Sequence, residues 1–155
     1  MLKVGDSIPD FSLESGTGET VVAPELRGTR WVIYFYPKDN TPGCTIETRE
    51  FGKVMGELAE RGVRVFGCSV GDVAAKTSFA DSCGAPGLPL LADPDHAVAE
   101  AFGVWGVRKY AGQEYMGIAR TTFLVDAEGL VERVWTEVKP EGHAAEVVVA
   151  TAERG

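Results

Sequence analysis

The chain has 155 residues, 45% hydrophobic and 25% charged, which is typical of a globular protein large enough to bury a core. Its formal net charge of −8, without any cluster of lysine or arginine, argues against nucleic acid as a partner. No apolar run is long enough to span a membrane, and the N-terminus lacks the pattern of a signal peptide. We therefore expect a single domain, residues 1–155, located in the cytoplasm.

The cysteines and histidines are too few to suggest a metal site. Cys44, Cys68 and Cys83 are the three cysteines, and His96 and His143 are the two histidines. An odd number of cysteines in a chain expected to be cytoplasmic argues against a structural disulfide framework. The absence of a Cys-x-x-Cys motif argues against a thioredoxin-type dithiol and against a zinc ribbon. The sequence therefore predicts neither a metal nor a bound cofactor.

The first two thirds of the chain alternate predicted strands with predicted helices. Two short strand candidates flank a segment rich in glycine, serine and threonine, which predicts an N-terminal hairpin. The continuous apolar run Trp31–Tyr36 predicts a strand that is covered on both faces. A helix is predicted from about Thr41 to Gly62. The remaining elements predicted in this part are a strand at Val63–Ser69, a helix at Val73–Ser82, a strand at Leu90–Ala92 and a short helix from Asp93 to about Phe102.

The last third favours an antiparallel hairpin and a final helix. The glycine-rich segment Gly103–Gly117 is predicted to be an ordered loop. Arg120–Val125 and Leu130–Val138 alternate as strands and are joined by a turn that ends in glycine. A helix is predicted over Gly142–Glu153. Right-handed crossovers between the earlier strands, together with this hairpin, predict a thioredoxin-like α/β fold: a mixed central sheet flanked by helices, with the N-terminal hairpin as an extension.

Cys44 lies where a helix would favour its thiolate form. If Thr41 is the N-cap residue, Pro42 occupies the first helical position and Cys44 the third, where the helix dipole and free amides stabilise negative charge. The Thr41 hydroxyl can form a hydrogen bond near the sulfur, and Pro37 can shield it from water. These residue types suit attack by a thiolate on the O–O bond of a peroxide, which leaves a sulfenic acid on Cys44. The alternative is an inert, buried helix cysteine.

The segment from Pro37 to Cys44 resembles the peroxiredoxin signature Pro-x-x-x-Thr/Ser-x-x-Cys. Its surroundings are similar to the bacterioferritin comigratory protein (Q-type) class. The other similar blocks are Gly5–Phe11, Pro89–Asp93, Gly117–Phe123 and Gly142–Val147. The resemblance implies that Cys44 is the peroxidatic cysteine and that Pro37, Thr41 and Arg120 complete the site. It also implies a monomer that reduces hydrogen peroxide and organic hydroperoxides and is recycled by thioredoxin or a similar dithiol.

Two of these residues have an alternative explanation. Taken alone, Arg120 has the character of a surface arginine that precedes a strand. Glu47, one turn beyond Cys44, would either form a salt bridge behind the site or be a solvated helix carboxylate. His96 and His143, each near a predicted helix start, are expected to be structural.

The cysteine that would resolve the sulfenic acid is not at the most common position of the class. Many members have a second cysteine five residues after the first, where this chain has Arg49. Other members have it in the following helix, and Cys83 matches that region. Cys68, within an apolar strand, is typical of a small buried hydrophobic residue. Cys83 follows polar residues at a helix end, a position expected to be polar and mobile, so we expect it to resolve Cys44.

Other outcomes remain open from the sequence. A one-cysteine mechanism or resolution by Cys68 would also be compatible with it. A bond from Cys44 to Cys83 requires Cα atoms within about 7 Å, so oxidation is expected to fray both helix ends. A peroxide sensor that relays oxidation to a partner protein would use the same chemistry. A disulfide reductase is disfavoured because no Cys-x-x-Cys is present.

Overall fold

The computed structural model describes residues 1–153. Within that range the elements follow the order β1 (Ser12–Glu14), β2 (Thr20–Val22), a 3-10 turn (Ala23–Leu26), β3 (Arg30–Phe35), α1 (Pro42–Glu60), β4 (Val63–Ser69), α2 (Val73–Ser82), β5 (Leu90–Ala92), α3 (Ala97–Phe102), β6 (Trp105–Tyr110), β7 (Gln113–Ile118), β8 (Thr121–Val125), β9 (Val131–Trp135) and α4 (His143–Glu153). No helix in this range is both long and apolar enough to cross a bilayer.

A mixed five-stranded sheet forms the centre of the molecule, with strand order β5-β4-β3-β8-β9. The pairs of β3 with β4 and of β4 with β5 are parallel, as expected for strands joined by helical crossovers. The pairs of β3 with β8 and of β8 with β9 are antiparallel. The predicted thioredoxin-like α/β fold is confirmed.

The middle strand, β3, has a hydrophobic core on each face. Every residue from Trp31 to Tyr36 is at most 1% exposed, which explains why the run is continuously apolar and does not alternate. Its odd-numbered side chains pack with α3 and the N-terminal segments. Its even-numbered side chains pack with α1, α2 and α4. Helices therefore cover both faces of the sheet.

The predicted N-terminal hairpin is confirmed, with β1 and β2 antiparallel and Leu13 opposite Val21. Its turn is anchored to the body of the fold at Gly16. The amide of Gly16 donates to the carbonyl of Leu90, and its own carbonyl accepts from the Thr77 hydroxyl at 2.8 Å. A Cβ at position 16 would lie 2.7 Å from the backbone nitrogen of Thr77, so only glycine permits this contact.

The prediction of a loop over Gly103–Gly117 was wrong, because most of this segment forms the two-stranded ribbon β6–β7. Ala111 and Gly112 both have positive φ, +53° and +79°, as a tight two-residue hairpin turn requires. Most of the ribbon is exposed, so its side chains do not show the alternation that marks a half-buried strand. Backbone pairing between the strands, with Trp105 opposite Ile118, defines the ribbon instead.

Two element boundaries differ from prediction by three or more residues. The short helix α3 begins at Ala97, because the fully buried carboxylate of Asp93 accepts hydrogen bonds from the amides of Val98 and Ala99. The last strand ends at Trp135, before the predicted Val138.

Candidate active site

Cys44 lies in the first turn of α1, and its side chain is fully buried. Thr41 is the N-cap residue, with extended backbone angles, and Pro42 follows at the first helical position. The Thr41 side chain does not cap the helix, and its hydroxyl donates instead to the carbonyl of Lys38 at 3.1 Å. The amides of Gly43 and Cys44 fall within the first turn, where a helix provides no backbone acceptors. The sulfur is therefore at the positive end of a 19-residue helix.

Sheet pairing brings Arg120 to this helix end. Phe35, at the end of β3, is opposite Thr121, at the start of β8. The loop that follows β3 and the residue that precedes β8 therefore meet at the same edge of the sheet. Arg120 Nη2 donates to Cys44 Sγ at 3.4 Å, and Nη1 donates to Glu47 Oε1 at 2.7 Å. Burial would lower the pKa of Arg120, but the negative charges of Glu47 and of Cys44 raise it above its ordinary value.

Glu47 is a buried carboxylate whose only described ionic partner is Arg120. The residue is 1% exposed, and its Oε2 atom has no hydrogen-bond partner within residues 1–153. Burial raises the pKa of Glu47 to about 7, although the nearby Arg120 opposes that change. The Glu47 carboxylate thus contacts the Arg120 guanidinium, which in turn contacts the Cys44 sulfur. Of the two alternatives that the sequence allows for Glu47, the geometry corresponds to the salt bridge.

The raised pKa of Glu47 predicts a specific dependence of fold stability on pH. The carboxyl has a pKa of about 7 in the folded protein and about 4.5 when unfolded, so the folded state binds more protons between these values. Its contribution to stability is therefore largest below about pH 4.5 and is lost as the pH rises to about 7. The difference corresponds to roughly 3 kcal/mol. Glu47→Gln keeps an oxygen that accepts from Arg120 but does not titrate.

Urea unfolding of the reduced protein from pH 5 to pH 8 measures this effect. We expect the wild type to lose roughly 2–3 kcal/mol over this range relative to Glu47→Gln. Burial lowers the pKa of His143, but this group is present in both proteins and cancels in the comparison. Glu57→Gln, on the exposed part of the same helix, is the matched control and should follow the wild type. Parallel curves for the wild type and Glu47→Gln would contradict the prediction.

Gly43 is a constraint on the site that the sequence reasoning missed. A Cβ at this position would lie 3.1 Å from Arg120 Nη2 and 3.3 Å from Pro140 Cγ. Both contacts are tighter than a side chain normally makes, so a larger residue at position 43 would require Arg120 or Pro140 to shift by a few tenths of an ångström. The available signal was a glycine in the predicted first turn of the helix, directly before Cys44. Pro37 follows the buried end of the β3 run and is half-buried.

Cys83 is close to the site but is not in the environment that the sequence predicted. It is the C-cap residue of α2 and is 2% exposed, so the expectation of a polar position was wrong. Its neighbours Asp81 and Ser82 are exposed, whereas Cys83 packs in the same core cluster as Cys44. Burial raises the pKa of the Cys83 thiol. Cys68 is fully buried in β4, and burial raises its pKa further above the ordinary value.

The histidines connect structural elements. His143 Nε2 lies 2.8 Å from Thr122 Oγ1, a contact that links α4 to β8. Its Nδ1 lies 3.2 Å from Glu146, in the same helix. The His96 ring stacks on Trp105 at 4.0 Å. Within the described residues, no group of three or more histidine, cysteine or acidic side chains is placed to hold a metal ion.

Comparisons with known proteins find relatives over nearly the whole chain. The model of the AhpC/TSA family matches residues 4–134. A putative peroxiredoxin bcp of Coxiella burnetii is 44% identical over 147 residues, which cover 95% of this chain and 97% of that protein. Peroxiredoxin Bcp of Bacillus subtilis is 41% identical, with coverage of 95% and 93%.

Solved structures of the same group superpose over nearly the whole chain. A cysteine-to-serine variant of PrxQ from Xylella fastidiosa has a TM-score of 0.92 at 28% identity, with 99% of this chain and 98% of that chain covered. The bacterioferritin comigratory protein of Xanthomonas campestris has a TM-score of 0.88 at 34% identity, with coverage of 99% and 98%. That structure concerns the alkyl peroxide reduction activity of the Xanthomonas protein.

Proposed function

The chain belongs to the AhpC/TSA family and is a thiol-dependent peroxidase of the peroxiredoxin type, and on that premise we propose that Cys44 is the residue that the peroxide oxidises. The observation that carries the proposal is the 3.4 Å hydrogen bond from Arg120 to the Cys44 sulfur at the N-terminus of α1. A guanidinium and a helix dipole together favour the nucleophilic thiolate. The proposed substrates are hydrogen peroxide and organic hydroperoxides, the latter supported by the activity of the Xanthomonas relative.

The proposed reaction is a two-electron oxidation of the sulfur. The Cys44 thiolate attacks the hydroxyl oxygen of ROOH, so that an S–O bond forms, the O–O bond breaks and RO⁻ leaves to be protonated by solvent. The product is a sulfenic acid on Cys44. Arg120 stabilises the thiolate beforehand and the negative charge on the leaving oxygen during the reaction. We assign Thr41 to orient the peroxide through its hydroxyl, and Pro37 to limit the access of water.

We propose Cys83 as the resolving residue. Its sulfur attacks the sulfenic sulfur of Cys44, an S–S bond forms and water leaves. Both thiols are buried in one core cluster, which supports a short path between them, whereas Cys68 belongs to the cluster on the other face of the sheet. Cys83 is almost fully buried in the reduced protein, and we propose that the end of α2 unwinds before the bond forms. Thioredoxin or a similar dithiol then reduces the disulfide and is itself oxidised.

Titration of the reduced protein with one equivalent of hydrogen peroxide, followed by peptide mass spectrometry, tests these assignments. We expect a Cys44–Cys83 disulfide in the wild type and in Cys68→Ser, the matched control. Cys83→Ser should instead accumulate sulfenic acid on Cys44, and a second equivalent of peroxide should convert it to sulfinic acid. Hydrogen exchange should increase at the first turn of α1 and the last turn of α2 on oxidation. A lasting sulfenic acid in the wild type would exclude Cys83, and an unmodified Cys44 would refute the central assignment.

The proposal also covers the oligomeric state of the protein and its location in the cell. We propose that the protein acts as a monomer, as its resemblance to the Q-type class implies. We also propose that the protein works in the cytoplasm, whose reducing conditions would keep the cysteines at 44, 68 and 83 as free thiols between turnovers. Sedimentation of the reduced and oxidised protein tests the monomer, and a dimer in either form would exclude it for that form.

A further inference from the structure

A fully buried lysine lies next to the loop that leads to Cys44. The Lys76 side chain, on α2, is 0% exposed. Its Nζ donates to both carboxylate oxygens of Asp39, at 2.9 and 3.1 Å, to Ser69 Oγ at 2.7 Å and to the carbonyl of Val70. A lysine is rarely buried so completely, because removing its charge from water is costly unless partners replace the water. Here three residues from two different segments provide those partners.

The ion pair fixes the segment between β3 and α1. Asp39 Oδ1 also accepts a hydrogen bond from the hydroxyl of the buried Tyr36, at 2.7 Å. Asp39 is therefore held from two sides, by the end of the β3 run and by α2. The next residue, Asn40, has a φ of +65°, a left-handed conformation that asparagine adopts more readily than most residues other than glycine. Thr41 follows as the N-cap of the helix that carries Cys44.

Packing alone does not explain a charged pair at this place. A buried ion pair contributes little net stability, and an apolar pair of similar volume is often at least as stable. The hydrogen bonds of the pair do hold Asp39 at a fixed distance from α2 and in a fixed orientation. The loop that it fixes determines where α1 begins, and hence where the Cys44 sulfur lies relative to Arg120.

We propose that Lys76 is a positioning residue for peroxide reduction, which acts through Asp39 to hold the Pro37–Thr41 segment in its reactive geometry. Lys76 contacts neither the sulfur nor Arg120 in the described interactions, so it is not a catalytic residue. The proposal rests on the assignment of Cys44 as the reacting cysteine. It extends the site to α2, on the far side of the loop from Arg120.

The test measures the second-order rate of Cys44 oxidation by hydrogen peroxide, in single turnover with the reduced protein. Lys76→Met keeps the straight side chain but removes the charge, and we expect oxidation to slow by about 10- to 100-fold, as a displacement near 1 Å can cause. Lys76→Arg keeps a cation and should recover part of the rate. If Lys76 acts through Asp39, the double variant Asp39→Asn/Lys76→Met should be no slower than Lys76→Met.

Controls separate positioning from stability. Lys76→Met leaves Asp39 without its cation, and if that variant does not fold, the double variant, which has neither charge, is measured in its place. Asp93→Asn removes another buried carboxylate, at the start of α3, and should lower stability without slowing the oxidation of Cys44. Wild-type rates in the folded Lys76 variants would overturn the proposal. If Cys44→Ser were still an active peroxidase, the assignment of Cys44 would fail instead.

Discussion

Replacement of Cys44 by serine is expected to remove peroxide reduction, with a loss on the order of 10⁴-fold or more, as for other enzymes that lose their nucleophile. A serine hydroxyl is not ionised at neutral pH and cannot be oxidised by the peroxide. Because the sulfur is fully buried and serine is similar in shape, the fold should be retained. Consumption of hydrogen peroxide and of cumene hydroperoxide, with dithiothreitol as reductant, measures the loss.

The matched control is Cys68→Ser. This cysteine is buried in β4 on the other side of the sheet, and its burial raises its pKa, so it should contribute little to the activity. The control variant should retain nearly the wild-type rate per folded molecule. A Cys44→Ser protein with more than a few per cent of the activity would show that the reaction occurs at another residue.

Replacement of Arg120 is expected to have the second largest effect. Arg120→Met removes the donor that faces the sulfur, and we expect the second-order rate with peroxide to fall by about 10²–10³-fold. Arg120→Lys keeps the charge, but one ammonium group cannot replace the two guanidinium nitrogens that donate separately to Cys44 and Glu47. The rate of this variant should therefore also fall, by about tenfold or more. Stopped-flow oxidation and the rate of Cys44 alkylation measure the reaction and the reactivity of the thiolate separately.

A second variant separates the chemistry from the fold. Arg120→Met leaves Glu47 buried without its cation, which destabilises the protein by a few kcal/mol. Arg120→Met/Glu47→Gln removes both charges and should recover stability while remaining slow. Arg133→Lys, at an exposed arginine of β9, should have no effect. An equally fast Arg120→Met protein would exclude the proposed stabilisation of charge.

The sequence predicted those features that depend on neighbours along the chain. The run Trp31–Tyr36 and the turn Thr41–Cys44 are local patterns, and the strand and the helix start lie where they were expected. The exposed ribbon β6–β7 has no apolar alternation, so its strands could not be recognised. Arg120 was identified through family resemblance alone, because the pairing of β3 with β8 that brings it to Cys44 has no signature in the sequence.

The burial of Cys83 and of Lys76 could have been predicted in part. Lys76, Phe79, Ala80 and Cys83 follow the spacing of one helix face, and all four are buried. The polar residues next to Cys83 concealed this pattern, and a lysine on a helix is ordinarily solvated. The partner of Lys76 could not be predicted, because Asp39 lies in a loop whose path depends on the tertiary fold.

The packing around Cys83 has a thermodynamic consequence for recycling of the enzyme. In the reduced protein this thiol lies in the same core as Phe79 and Tyr34, and a disulfide to Cys44 would require part of that packing to be given up. The reduction potential of the disulfide would then include the folding free energy of the end of α2. Each 1.4 kcal/mol of packing lost on oxidation raises that potential by about 30 mV. The aromatic core thereby favours return to the dithiol form and lowers the reducing power required of the partner.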